Sequence, residues 1–89
     1  MGLKIIKFYA EWCGPCKQLK PVFDDVCPLY TDVEFMDIDV DDTEYEYLKK
    51  EYNVRSVPRI FFIKNNEPVF EHTGFISRDQ LVEKIEELK

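Results

Sequence analysis

An 89-residue chain with 12 Lys and Arg against 18 Asp and Glu, a net charge of −6, has no basic cluster to displace counterions from phosphate, which argues against nucleic-acid binding. Its apolar share of 45%, with seven Phe and five Tyr, is enough for a single domain over residues 1–89 with a core of its own. No apolar run is long enough to cross a bilayer and no signal-peptide pattern opens the chain, so a cytoplasmic protein without membrane contact is expected.

Leu3 to Tyr9 is apolar and β-branched except at Lys4 and Lys7, and it is too short for a helix. It reads as a strand buried on both faces. Then come Trp12-Cys13-Gly14-Pro15-Cys16, two cysteines one helical turn apart. Such a pair can close a disulfide if the first lies at the mouth of a helix and the second inside its first turn. The unpaired N–H groups and positive dipole end of that helix would then stabilise a thiolate on Cys13. Gly14 and Pro15 suit this start, because Pro in a first turn loses no intrahelical hydrogen bond. A reducing cytoplasm disfavours a structural disulfide but not a cycling one, and three cysteines fit one working pair plus a spare thiol.

Beyond Cys13, Leu19, Val22, Phe23, Val26 and Cys27 recur at helical spacing, opposite Lys17, Gln18, Lys20, Asp24 and Asp25. Pro21 should kink this helix and Pro28 end it, with Cys27 a small hydrophobe on its buried side. Val33 to Val40 alternates, with Phe35, Asp37 and Asp39 on one face and Met36, Ile38 and Val40 on the other. This second strand follows a helical crossover, so it should pair in parallel with the first.

Thr43-Glu44-Tyr45-Glu46 is a capping-box pattern, after which Tyr45, Leu48 and Tyr52 mark a short helix ended by Asn53. Arg59 to Lys64 and Pro68 to Thr73 flank Asn65-Asn66-Glu67, which predicts an antiparallel hairpin. Ser77 to Gln80 is a second capping box, and Leu81, Val82, Ile85 and Leu88 give the last helix its apolar face. The predicted order is βαβαββα.

Two further clusters carry bland readings. Asp37, Asp39, Asp41 and Asp42 lack the Gly and terminal Glu of a calcium loop and read as a solvated strand end. Cys13, Cys16, Cys27 and His72 match none of the usual zinc spacings, so no metal is expected and His72 reads as a partly exposed sheet residue.

Phe8-Tyr9-Ala10-Glu11-Trp12-Cys13-Gly14-Pro15-Cys16-Lys17, with Val54-Arg55-Ser56-Val57-Pro58 downstream and Gly74 after the hairpin, resembles the thioredoxins over nearly the whole chain. The resemblance lacks the additional strand and helix with which thioredoxins usually begin. A bare Cys-x-x-Cys is shared with zinc sites, whereas the full hexapeptide Trp12 to Lys17 on a strand-to-helix junction is specific. The resemblance implies an α/β, thioredoxin-like fold: a mixed four-stranded sheet with helices on both faces, the first strand central. It implies that Cys13 is the exposed nucleophile and Cys16 the buried resolving thiol, with Trp12 an aromatic wall. It also implies that Pro58 is cis and faces the cysteines, that Val57 offers its backbone to an extended substrate, and that Gly74 leaves the far side of the groove open.

The implied activity is that of a dithiol–disulfide oxidoreductase, an electron carrier that reduces protein disulfides and contributes to cell redox homeostasis. It would act as a monomer without a bound cofactor, recharged by a flavin-dependent thioredoxin reductase. A glutathione-dependent, glutaredoxin-like enzyme is the alternative that the short length suggests, and a non-enzymatic subunit of a larger complex is the other. Three positions depart from the family. Lys7 stands where thioredoxins usually carry a buried Asp, and Phe35 where a Lys is usual. A buried ammonium needs a carboxylate or a path to solvent, so Lys7 is expected to pair with Asp37, lying either as an active-site group beside Cys16 or as a bystander. Arg59, where the family commonly has Thr, places a charge either near the site or on the sheet edge.

Overall fold

A computed structural model describes residues 2–89. Its elements run β1 (Leu3–Tyr9), α1 (Gly14–Val26), a 3-10 turn (Cys27–Leu29), β2 (Val33–Asp39), a second 3-10 turn (Thr43–Tyr45), α2 (Glu46–Glu51), β3 (Arg59–Lys64), β4 (Glu67–Thr73) and α3 (Arg78–Leu88). The sheet order is β2-β1-β3-β4, with β1 parallel to β2 and antiparallel to β3. The expected α/β architecture, mixed four-stranded sheet and central first strand are all present.

Alternation along the strands divides the core into two layers. Leu3 and Ile5 of β1, with Ile60 and Phe62 of β3, pack against Leu19, Phe23 and Val26 of α1 and Leu81 and Ile85 of α3. Ile6 and Phe8, with Phe61 and Ile63, face the other way, under Leu48 of α2 and Tyr52. Helices thus cover both faces, and β1 is buried from both sides. Phe8, Phe61 and Phe62 are fully or almost fully buried. Each such ring contributes about 1.5–3 kcal/mol relative to its exposed state.

Local signals set most of the boundaries. Ser77 Oγ accepts from Gln80 N at 3.1 Å and Gln80 Oε1 accepts from Ser77 N at 3.0 Å, completing the predicted capping box of α3. Asn65 and Asn66 have φ of 56° and 66°, the left-handed pair that a two-residue hairpin turn requires. Asn53, with φ 53°, reverses the chain just past α2.

Two expectations are corrected and one is borne out. Thr43 does not cap α2: Asp42 takes the cap position one residue earlier, its Oδ1 accepting from Glu44 N at 3.0 Å, and the chain makes a 3-10 turn before α2 begins at Glu46. α1 ends at Val26, as Pro28 leads one to expect: the Cys27 N–H makes the last α-helical bond, to Phe23 O, and Pro28 has no N–H to continue the series, so the chain tightens into a 3-10 turn. Cys27 is exposed, not buried. It lies at the rim of the apolar stripe centred on Leu19, Phe23 and Val26, where the α-helix gives way to the 3-10 turn.

Candidate active site

The two cysteines meet because β1 delivers the chain to the mouth of α1. Cys13 is the N-cap residue, in extended conformation (φ −91°, ψ 114°), and Pro15 stands in the first turn, where its missing N–H costs nothing. Cys13 Sγ accepts from the backbone N–H of Cys16 at 3.2 Å, the role that a Ser or Asp oxygen usually fills at a helix start. The two sulfurs are joined in a disulfide, with Cα atoms 5.3 Å apart. One expectation is revised: Cys13 and Cys16 are both buried, at 5% and 6% exposure, so exposure does not tell them apart. Their surroundings do, because they face different sides of the helix mouth.

Cys13 faces the loop before β3. Its Sγ lies 3.7 Å from the carbonyl oxygen of Val57, a residue 44 positions away in sequence. The Val57–Pro58 peptide bond is cis, as the resemblance implies. The Pro58 carbonyl accepts from Gly74 N at 2.9 Å, so the turn after β4 is tied to the same loop. Gly74 has φ +90°, and a Cβ placed there would meet no atom within 4 Å, so this flank is open. The three chain segments carrying Trp12-Cys13, Val57-Pro58 and Gly74 therefore converge at one end of the sheet.

Trp12 is 70% exposed, an unusual position for an indole, and it is fixed at its polar end. Its Nε1 donates to Asp41 Oδ2 at 2.8 Å, and Asp41 N in turn donates to Asp39 Oδ1 at 2.9 Å. Trp12, Asp41, Lys49, Val54, Arg55 and Val57 line a cleft of about 190 Å³. Sequence reasoning read Asp41 only as part of a solvated strand end. The available signal was topological: β1 and β2 are parallel, so the residues just after each strand emerge side by side.

Cys16 faces a second cavity, of about 130 Å³, which it lines together with Lys7 and Asp37. Lys7 is 5% exposed, and its Nζ lies 3.7 Å from Asp37 Oδ2, the pairing expected from the sequence. The strand register sets it, since Lys7 and Asp37 are direct partners across β1 and β2. The ammonium also lies 4.6 Å from the centroid of the Phe23 ring, a cation–π contact inside the core. Tyr9 lines the same cavity. Burial, followed by the carboxylates of Asp39, Glu11, Asp37 and Asp42, pushes its hydroxyl pKa up, so the phenol is neutral at physiological pH.

The remaining candidates have their polar groups engaged with other partners. Arg59 pairs with Glu71 and stacks its guanidinium 4.8 Å from the Phe61 centroid, which commits its charge to the sheet face. His72 is partly exposed, as expected, and its Nε2 lies 2.8 Å from the Phe75 carbonyl, so that nitrogen carries the proton. Among the described residues, no group of three or more His, Cys, Asp or Glu is arranged to hold a metal ion.

Comparison with known proteins agrees with this arrangement. The family model described as Thioredoxin matches residues 2–87. The chain is 37% identical to a thioredoxin of Mycoplasmoides gallisepticum over 79 residues, which is 89% of this chain and 77% of that one. It is 38% identical to a thioredoxin of Gallus gallus over 86 residues, covering 97% and 79%. Among solved structures, the X-ray structure of Fasciola hepatica thioredoxin superposes with a TM-score of 0.88 at 32% identity, over 99% of this chain and 82% of that one. The germline-specific thioredoxin Deadhead of Drosophila melanogaster gives 0.87 at 30%, over 99% and 82%.

Proposed function

The chain belongs to the thioredoxin family and is a thiol–disulfide oxidoreductase, and we propose that it reduces protein disulfides with Cys13 as the attacking thiol and Cys16 as the resolving one. The observation that carries this assignment is the position of Cys13 Sγ, capping α1 with the Cys16 N–H 3.2 Å away. A thiolate there is held by a backbone donor and by the positive end of the helix dipole. Cys16, inside the first turn, is placed to attack whatever is bonded to Cys13.

In the forward reaction the Cys13 thiolate attacks one sulfur of a substrate disulfide, and the other substrate sulfur leaves as a thiolate and takes up a proton. The Cys16 thiolate then attacks Cys13 Sγ, closing the Cys13–Cys16 disulfide and releasing the second substrate sulfur. Two electrons pass from the protein pair to the substrate, and the pair ends in the oxidised form described above. Because the electrons reside on the cysteines, no bound cofactor is needed.

An extended substrate segment would lie along the Val57 backbone beside Cys13, with Trp12 on one side and the open flank at Gly74 on the other. Backbone pairing of this kind binds many sequences with little side-chain selection. Gly14 and Pro15 keep the link between the cysteines compact. Recharging is assigned to a thioredoxin reductase, in keeping with the general behaviour of the family. We further propose a cytoplasmic monomer contributing to electron transport and redox homeostasis.

A disulfide-reduction assay on insulin, driven by a flavin-dependent thioredoxin reductase and its nicotinamide donor, tests the assignment. Cys13→Ser and Cys16→Ser should each abolish turnover, with Cys16→Ser trapping a mixed disulfide on Cys13. Turnover by Cys13→Ser would overturn the assignment of the nucleophile. Equal turnover with glutathione alone would favour the glutaredoxin-like alternative, against which the Gly14-Pro15 linker argues.

A further inference from the structure

The cavity behind Cys16 holds a buried cation that the disulfide chemistry described so far does not use. Lys7 projects into it from β1, almost fully buried, and Cys16 opens onto it from α1. Its neighbour Asp37, from β2, has a side chain 58% exposed, so the carboxylate shares itself with solvent while the ammonium does not. The geometry points to Lys7 as a positioning residue for the resolving step: its ammonium stabilises the Cys16 thiolate, and Asp37 tempers that effect. This role rests on the Cys13/Cys16 reading above.

The physical case is one of unequal screening. Three other charged residues line the same cavity: Glu11 from the loop after β1, and Lys17 and Lys20 from α1. All three are exposed, and Lys20 is tied to Asp24 at 2.9 Å. Water and salt weaken their influence on a sulfur inside the cavity. Tyr9, the remaining ionisable group there, is neutral below its raised pKa. Lys7 is the charge that stays out of water, so its field on Cys16 is the least screened. A cation near a thiol favours the thiolate, the opposite of what a buried carboxylate does.

The step balances without an added reagent. Before resolution Cys16 gives its proton to solvent entering the cavity, whose volume of about 130 Å³ has room for water at roughly 30 Å³ per molecule. The thiolate then forms the Cys16–Cys13 bond as the bond from Cys13 to the substrate sulfur breaks, and the departing thiolate takes a proton from water.

Reduced protein mixed with a chromogenic aromatic disulfide releases one coloured thiol as Cys13 is captured and a second as Cys16 resolves. The second phase, followed across pH, is the test. In Lys7→Met it should be roughly tenfold slower at neutral pH and converge with the parent at alkaline pH, as the loss of a cation favouring the Cys16 thiolate requires, with the first phase unchanged. In Asp37→Asn, an exposed change that leaves the core intact, the profile should move the other way, towards lower pH. A Lys7→Met profile superimposable on the parent's overturns the proposal. So does an Asp37→Asn profile that fails to move downward, which decides the matter even if Lys7→Met does not fold. A second phase that is missing from the parent, or that persists in Cys16→Ser, overturns instead the assignment of the two cysteines.

Discussion

The indole N–H of Trp12 donates to the carboxylate of Asp41 at 2.8 Å, joining the loop after β1 to the loop after β2. An exposed aromatic ring on a short loop would otherwise sample several rotamers, and fixing one of them prepares the wall of the cleft before a substrate arrives. Asp41→Ala should leave stability nearly unchanged, because the bond is exposed. It should raise the KM for a protein disulfide by up to about fivefold, the equivalent of about 1 kcal/mol of lost preorganisation, with kcat conserved. Trp12 is the one tryptophan of the chain, so its fluorescence anisotropy reports the loosening directly. An unchanged anisotropy together with an unchanged KM would remove the preorganising role.

That bond also marks the limit of what the sequence discloses. Strand periodicity, the Ser77 cap and the paired Asn turn are local signals, and each element they predict is found. The Lys7–Asp37 pair was legible as well, because a buried ammonium needs a carboxylate and Asp37 lies on the face of β2 that Phe35 shares. Thr43 misled because a capping-box pattern does not say whether the residue before it caps better, and Asp42 does. Cys27 misled because helical spacing places a residue on a stripe but not at its rim. The Trp12–Asp41 bond spans 29 residues, and no local pattern records it.

High pH should weaken the fold through its tyrosines. Tyr30 OH donates to Glu86 Oε2 at 2.7 Å, and this bond, then burial and the Glu86 charge, raise its pKa above the ordinary 10.0. Burial first, and neighbouring carboxylates second, do the same for Tyr9 and Tyr52. A group whose folded pKa is raised holds its proton more tightly when folded. The stability it adds is complete below the unfolded pKa, near pH 10, and is lost as pH rises through the folded value. Tyr30→Phe should therefore lower stability at neutral pH and flatten the decline above pH 10, leaving the slope due to Tyr9 and Tyr52. Urea midpoints measured between neutral pH and pH 11 check both parts; an unchanged slope would mean that Tyr30 titrates alike in both states.

The β3–β4 turn offers a stabilising change. Both central residues, Asn65 and Asn66, occupy the left-handed region, which Asn tolerates and Gly adopts without a Cβ penalty. Asn66→Gly produces the Asn-Gly pair most favoured in two-residue hairpins and should raise stability by about 0.5 kcal/mol. Asn65→Val puts a β-branched side chain at positive φ and should cost about 1–2 kcal/mol. Urea unfolding of the two variants should shift the midpoint in opposite directions at constant m-value.

Gly74 separates a backbone cost from a surface effect. At φ +90° an L side chain is strained, so Gly74→Ala should destabilise the fold by about 1–2 kcal/mol even though its Cβ would meet no atom within 4 Å. Gly74 N must still donate to the Pro58 carbonyl, at 2.9 Å in the parent, and this bond holds the turn against the loop that faces Cys13. If the turn keeps that bond, the added methyl projects into the open flank where an extended substrate would pass. The expected result is a raised KM for protein disulfides with little change towards a small aromatic disulfide that does not occupy the groove. A variant equally impaired on both substrates would show instead that the turn has let go of Pro58 and disturbed Cys13 itself. The ratio of the two effects, measured at a temperature where the variant remains folded, distinguishes a blocked groove from a displaced loop.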